Sequence, residues 1–121
     1  MSAIWRVYMQ PAPRALILST NAVEAQDLAE MLDTFFGMTS AVCRSLDAAH
    51  DIARTHLATL EVAFVAASLR AADQGNLVAK LKAAQSKVVL IDADPGLADR
   101  LGFNALLRPF LAEDVRAALE D

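Results

Sequence analysis

Few residues in this chain combine type and spacing in a way that could do chemistry. Asp47, His50 and Asp51 fall at i, i+3 and i+4, which gathers them on one side of a helix. Three ligands on one exposed helix with no distant fourth make a weak metal site. Two ordinary surface histidines, His50 and His56, is the better reading. The single cysteine, Cys43, lies inside an apolar run and reads as a small core residue rather than a reactive thiol. One thiol excludes an internal disulfide framework and suits a reducing compartment, so a cytoplasmic location is expected. No glycine-rich phosphate loop follows the first apolar run, which argues against a Rossmann or P-loop nucleotide site. No Gly-x-Ser-x-Gly elbow is present either. Nothing supplies a nucleophile, a base and an orienting group together, so an enzyme is not expected.

The chain as a whole sets further bounds. Its 121 residues, 55% of them apolar, suffice for one domain with a real core and argue against disorder. The net charge of -4 gives no electrostatic reason to expect nucleic acid. No apolar run is long enough to span a membrane, and the N-terminus lacks the series of a signal peptide. Residues 1–13 read as an arm and residues 14–121 as the domain. The arm carries Ile4, Trp5, Val7, Tyr8 and Met9 before Pro11 and Pro13, which break regular structure. Such an apolar patch is costly to leave in water, so docking on its own domain or on a second subunit is expected.

The elements that must position any site follow from the apolar pattern. Glu61 to Ser68 is an unbroken apolar run bounded by polar residues, which marks a central parallel strand covered on both faces. Before it, Ala15–Leu18 reads as the first strand and Thr39 to Arg44 as the second. Asn21 can cap the first helix, with Glu24 at capping-box spacing and Gly37 as its stop. Glu24, Asp27, Glu30 and Asp33 recur along that helix as an acidic face, either solvated or a docking surface for a basic partner. Ser45 can cap a second helix carrying Leu46, Ala49, Ile52, Ala53 and Leu57. After the central strand, 68–75 reads as a loop and 76–84 as a third helix. Lys87–Ile91 is the fourth strand, 97–101 a short fourth helix, Ala105 to Leu107 the fifth strand, and a last helix starts near Leu111. Five strands alternating with five helices through short connections predict a parallel α/β sheet with right-handed crossovers.

With these elements in place the chain resembles the receiver domain of two-component response regulators over about Arg14 to Glu120. The likeness rests on element order, on Arg-Ala-Leu-Ile-Leu opening the first strand, on Asp-Ala-Ala-His-Asp-Ile-Ala in the second helix, and on Leu-Leu-Arg-Pro-Phe ending the fifth strand. The resemblance implies a flavodoxin-like (CheY-like), doubly wound five-stranded sheet in the order 2-1-3-4-5 with helices on both faces. It also implies a cis bond between Arg108 and Pro109.

The family's chemistry does not come with it. Receivers hold magnesium with an acidic pair after the first strand, and the matching positions here are Ser19 and Thr20. A hard divalent cation wants anionic oxygens, so magnesium binding is expected to be weak or absent and no cofactor is expected. Receivers accept a phosphoryl group on an aspartate ending the third strand; the match here is Ala66. Asp92 stands where they place a threonine or serine, Ala105 where they place an aromatic switch residue, and Arg108 where they place a lysine. Asp92 and Arg108 would sit on neighbouring strand ends, either as an ion pair across the emptied pocket or as two solvated charges.

These substitutions predict a degenerate, stand-alone pseudo-receiver: a bacterial-type signalling module that binds a protein independently of phosphorylation. Its expected partner is a histidine kinase, a phosphotransferase or another regulator, with a homodimer as a further candidate. The acidic first helix, which in receivers faces the kinase or phosphotransferase, is the candidate partner surface. Two alternatives stay open. One is a phosphoryl acceptor by an unusual route through Asp92, Asp94 or Ser68. The other is a small-anion sensor built from Arg108, Ser19, Thr20 and the helix start at Asn21.

Overall fold

The structure, a computed structural model, describes residues 12–66, 71–91, 104–106 and 110–120. Its strands are β1 (Ala15–Leu18), β2 (Ser40–Cys43), β3 (Val62–Ala66), β4 (Lys87–Ile91) and β5 (Asn104–Leu106). Its described helices are α1 (Ala22–Phe36), α2 (Leu46–His56), α3 (Ala71–Ala83) and α4 (Ala112–Glu120). All neighbouring strands are parallel, in the order β2-β1-β3-β4-β5. This is the flavodoxin-like arrangement expected from the sequence, with the chain order reversing direction between β1 and β3.

The period of two along each strand divides the core into two halves. Leu16 and Leu18 of β1, Ala63 and Val65 of β3, and Val88 and Leu90 of β4 face α2 and α3, where they meet Ala49, Ala53, Leu77 and Leu81. The alternate residues Ile17, Val62, Phe64, Val89 and Ile91 face α1 and α4, where they meet Leu28, Leu32, Val115 and Ala118. Every residue of β1 and β3 is buried, which explains their unbroken apolar runs. Phe64, at the middle of the central strand, is the largest fully buried side chain among the described residues.

Local signals place the helices. The Asn21 side chain accepts from the Glu24 backbone N–H at 3.1 Å and starts α1. Gly37 ends it in the left-handed region, at φ 65°, and the Met38 N–H returns to the Leu32 carbonyl at 3.0 Å. Ser45 accepts from the Ala48 N–H at 3.2 Å and starts α2. The α4 start is closed by the Asp114 carboxylate, which accepts from the Leu111 N–H at 2.8 Å.

Several boundaries differ from the sequence expectation. The third helix begins at Ala71 rather than Asn76, so the stretch read as a loop is helical from Ala71 onward. Gly75 costs only about 1 kcal/mol within a helix, and docking of Leu77 and Leu81 on the sheet outweighs it. The fifth strand is Asn104–Leu106, one residue earlier than expected. The second strand is shorter at each end, Ser40–Cys43. The expected helix at 97–101, the Arg108–Pro109 bond and most of the arm lie outside the described residues.

Candidate functional site

In an open parallel sheet, ligands sit beyond the carboxyl ends of the strands where the order reverses. Here that place lies between β1 and β3. Leu18 pairs with Val65 and with Cys43, and the ladder continues as the Ser19 N–H donates to the Cys43 carbonyl at 3.1 Å. Ser19 and Ala66 therefore flank the reversal point one residue beyond the Leu18–Val65 row.

Neither residue presents a charge there. Ala66 is 1% exposed and carries only a methyl group. Ser19 is also 1% exposed, and its hydroxyl is turned to local work. It donates to Glu24 Oε1 at 3.3 Å and accepts from the Asn21 N–H at 3.1 Å. The hydroxyl thus ties the end of β1 to the first turn of α1. Thr20 is exposed beside it. Ala105 pairs with Leu90 and packs half-buried against the core half beneath α2 and α3. It has no ring that could swing between an inner and an outer position. Asp92 and Arg108, and with them the expected ion pair, lie outside the described residues, as do Ser68 and Asp94.

Glu24 corrects the sequence reading. It was expected on an exposed acidic face with Asp27, Glu30 and Asp33. It is instead only 9% exposed, folded back against Ser19 at the start of α1. The reason is geometric. Residues spaced by three drift around a helix by roughly 60° per step, so Glu24 and Asp33 end up about half a turn apart. A carboxylate in the first turn is also favoured by the positive end of the helix dipole. A buried acid serving the start of α1 was signalled by its capping-box position; its hydroxyl partner, Ser19, was not foreseen.

Asp27, Glu30 and Asp33 do stay exposed. They share the outer side of α1 with two exposed apolar residues, Val23 at 72% and Phe35 at 57%. Asp27, Glu30, Met31, Thr34 and Phe35 line a shallow groove of about 240 Å³. Sequence reasoning identified the charges but passed over Val23 and Phe35, although both fall off the Ala25, Leu28, Ala29, Leu32 and Phe36 spacing that packs on the sheet.

The remaining candidates take ordinary places. Cys43 is buried, its Sγ 3.5 Å from the Ile17 carbonyl, and burial pushes the thiol up to about 11. At neutral pH it is protonated and a poor nucleophile. The Asp47, His50 and Asp51 trio is divided among other contacts. His50 Nδ1 lies 3.3 Å from Lys80 Nζ on α3, and Asp51 pairs with Arg54. No group of three metal-ligating side chains occurs among the described residues. Among them, too, no helix is long and apolar enough to cross a membrane.

No protein-family model and no curated protein matches the sequence. Solved structures do match. A response regulator receiver domain from Clostridium thermocellum superposes with a TM-score of 0.70 at 18% identity, over 88% of this chain and 90% of that one. The pilus assembly protein CpaE from Caulobacter crescentus gives 0.64 at 21% identity, over 93% and 95%. The co-crystal structure of the histidine phosphotransfer protein Ypd1 with the receiver domain of its response regulator Ssk1, from Saccharomyces cerevisiae, gives 0.64 at 16% identity, over 88% and 87%. At these identities the likeness carries the receiver fold and no residue's role.

Proposed function

We propose that this chain is a receiver-fold module of two-component signalling that works by binding a protein, without being phosphorylated itself. One observation carries the reading. At the point of the sheet where the fold places its ligands, β1 is followed by a buried serine already engaged by α1 and β3 ends in a buried alanine. Phosphoryl transfer depends on positioning and on stabilising charge. Ala66 offers no acceptor oxygen, and Ser19 and Thr20 offer no anionic oxygen to a divalent cation.

The exposed side of α1 is the proposed binding surface. Asp27, Glu30 and Asp33 would steer a basic partner, and Val23 and Phe35 would supply apolar contact. The Ssk1 receiver domain, solved with a histidine phosphotransfer protein, supports a partner of that class. The anion-sensing alternative has less support. The Ser19 hydroxyl and the Glu24 N–H, two of the donors it would use, are occupied, and the Glu24 carboxylate would repel an anion beside them.

The test is intact-mass measurement after incubation with acetyl phosphate and magnesium. The expected result is no gain of a phosphoryl group. A stoichiometric gain, on any residue, would overturn the reading.

A further inference from the structure

The β2 strand forms an unguarded edge of the sheet. It is outermost in the strand order and, among the described residues, pairs with β1 alone, from Ser40 to Cys43. The Cys43 carbonyl accepts from the Ser19 N–H at 3.1 Å and the Thr39 carbonyl from the Ala15 N–H at 3.2 Å. Thr39, Ala41 and Cys43 therefore turn their backbone groups toward β1, and Ser40 and Val42 turn theirs outward. Natural edge strands are blunted by lysine, by proline or by a bulge. This strand has none of the three: it reads Ser-Ala-Val-Cys in continuous register, with Val42 44% exposed.

The side chains along this edge suit a second copy of the same strand. Cys43 packs with Leu16 and Leu18 in the core half beneath α2 and α3, so Val42, the alternate residue, faces the α1 side of the sheet. On α1, Phe36 faces α4, where the Arg116 guanidinium lies 5.2 Å from its ring centre. Phe35 and Met31 fall on the other flank, the side of β2, with Leu28 and Leu32 between. When two copies pair antiparallel about a twofold axis at Val42, the two Val42 side chains meet on one face. Arg44 of each copy then comes opposite Ser40 of the other, at the end of the strand that follows the last turn of α1. That turn holds Asp33 and no basic residue, while Arg44 is exposed and pairs with no described carboxylate. A helix C-terminus is the negative end of its dipole, so the guanidinium of the second copy is complementary to it. We infer that this chain forms a symmetric dimer by antiparallel pairing of β2 with β2, which joins two sheets into one and covers Val42. Phe35 also belongs to the face proposed above for a protein partner, so the two contacts share that residue; the pairing itself does not rest on that reading.

Sedimentation over a concentration series reads the association, and amide hydrogen exchange reads the edge. The expected result is a dimer in which the Val42 N–H is protected at high concentration and exchanges fast on dilution, while the Ala41 and Cys43 N–H groups, turned toward β1, stay protected throughout. Val42→Lys sets two like charges opposite each other and should abolish the dimer. Arg44→Glu should weaken it about tenfold. Leu111→Lys, an exposed change just ahead of α4, should leave it intact. All three positions are exposed, and circular dichroism checks that each variant stays folded. A chain that is monomeric up to about 1 mM, a dimer indifferent to Val42→Lys, or one dissociated by Leu111→Lys would overturn the pairing. A protected Val42 N–H in the monomer would overturn it too, because the chain itself would then cover the edge.

Discussion

The two ends of the sheet are built differently. At the amino edge, polar side chains fasten one element to the next. Arg14 pairs with Glu61, and the Thr59 hydroxyl donates to the Pro13 carbonyl at 2.9 Å. The Ser86 hydroxyl donates to the Leu60 carbonyl at 2.7 Å. Lys87 Nζ donates to the Leu119 carbonyl and Asn104 Nδ2 to the Ala118 carbonyl, each at 2.8 Å, so both close the open C-terminal end of α4. At the carboxyl edge, the five strands end in Leu18, Cys43, Ala66, Ile91 and Leu106, all buried and uncharged. Beside β1, the acid Glu24 is held by Ser19.

Variants can break or sharpen this contrast. Phe64 lies midway between the edges, and Phe64→Ala should cost about 3–5 kcal/mol in denaturant unfolding. Both ends should be lost in one transition; separate transitions would mean that the edges are independent units.

Ala66→Asp comes next. A carboxyl group at this buried position should have its pKa raised by about two units, which corresponds to about 3 kcal/mol of lost stability at pH 7. With the folded pKa above the unfolded value, the deficit is absent below about pH 4 and grows as the pH rises through the folded value. Thermal unfolding against pH checks this. Magnesium should leave the melting temperature of the variant unchanged, whereas a rise would reveal a working cation site.

A smaller effect separates the edges directly. Ser86→Ala removes a buried hydroxyl and leaves the Leu60 carbonyl unpaired, at a cost of about 1 kcal/mol. Thr20→Ala, at the exposed carboxyl edge, should stay within about 0.5 kcal/mol. Equal losses by chemical denaturation would erase the contrast.

The smallest effect is electrostatic. Its hydrogen bond to Arg14 holds the Glu61 carboxyl below the usual carboxylate range. Its contribution is therefore fully present above about pH 4.3 and is lost as the pH falls through the folded value. Glu61→Gln should flatten that acid limb slightly in a series of melting temperatures, and high salt should do the same to the unaltered chain.

Much of this fold was legible from sequence, for identifiable reasons. The strands β1 and β4 begin and end where expected, because their apolar runs stop abruptly at Ser19 and Ser86 and are buried on both faces. The caps at Asn21, Ser45 and Gly37 are local chemistry and were read as such. The start of α3 was not, because Asp73, Gln74, Gly75 and Asn76 look like a turn until Leu77 and Leu81 dock on the sheet. At the site, the neutral identity of Ser19 and Ala66 was plain. The inward turn of Glu24 was not, because spacing by three imitates a face over one turn and drifts off it over three. Val23 and Phe35 were legible in principle, because they fall off the apolar stripe of Ala25, Leu28 and Leu32 that the structure buries.

The central proposal, that this chain works without being phosphorylated itself, is tested most directly by an amide NMR titration with magnesium and beryllofluoride, a phosphoryl mimic. The account predicts that the resonances of Ser19, Thr20, Ala66 and Ala105 do not move. Saturable shifts at these four positions would contradict it, because they would show that the edge still binds a phosphoryl group and its cation.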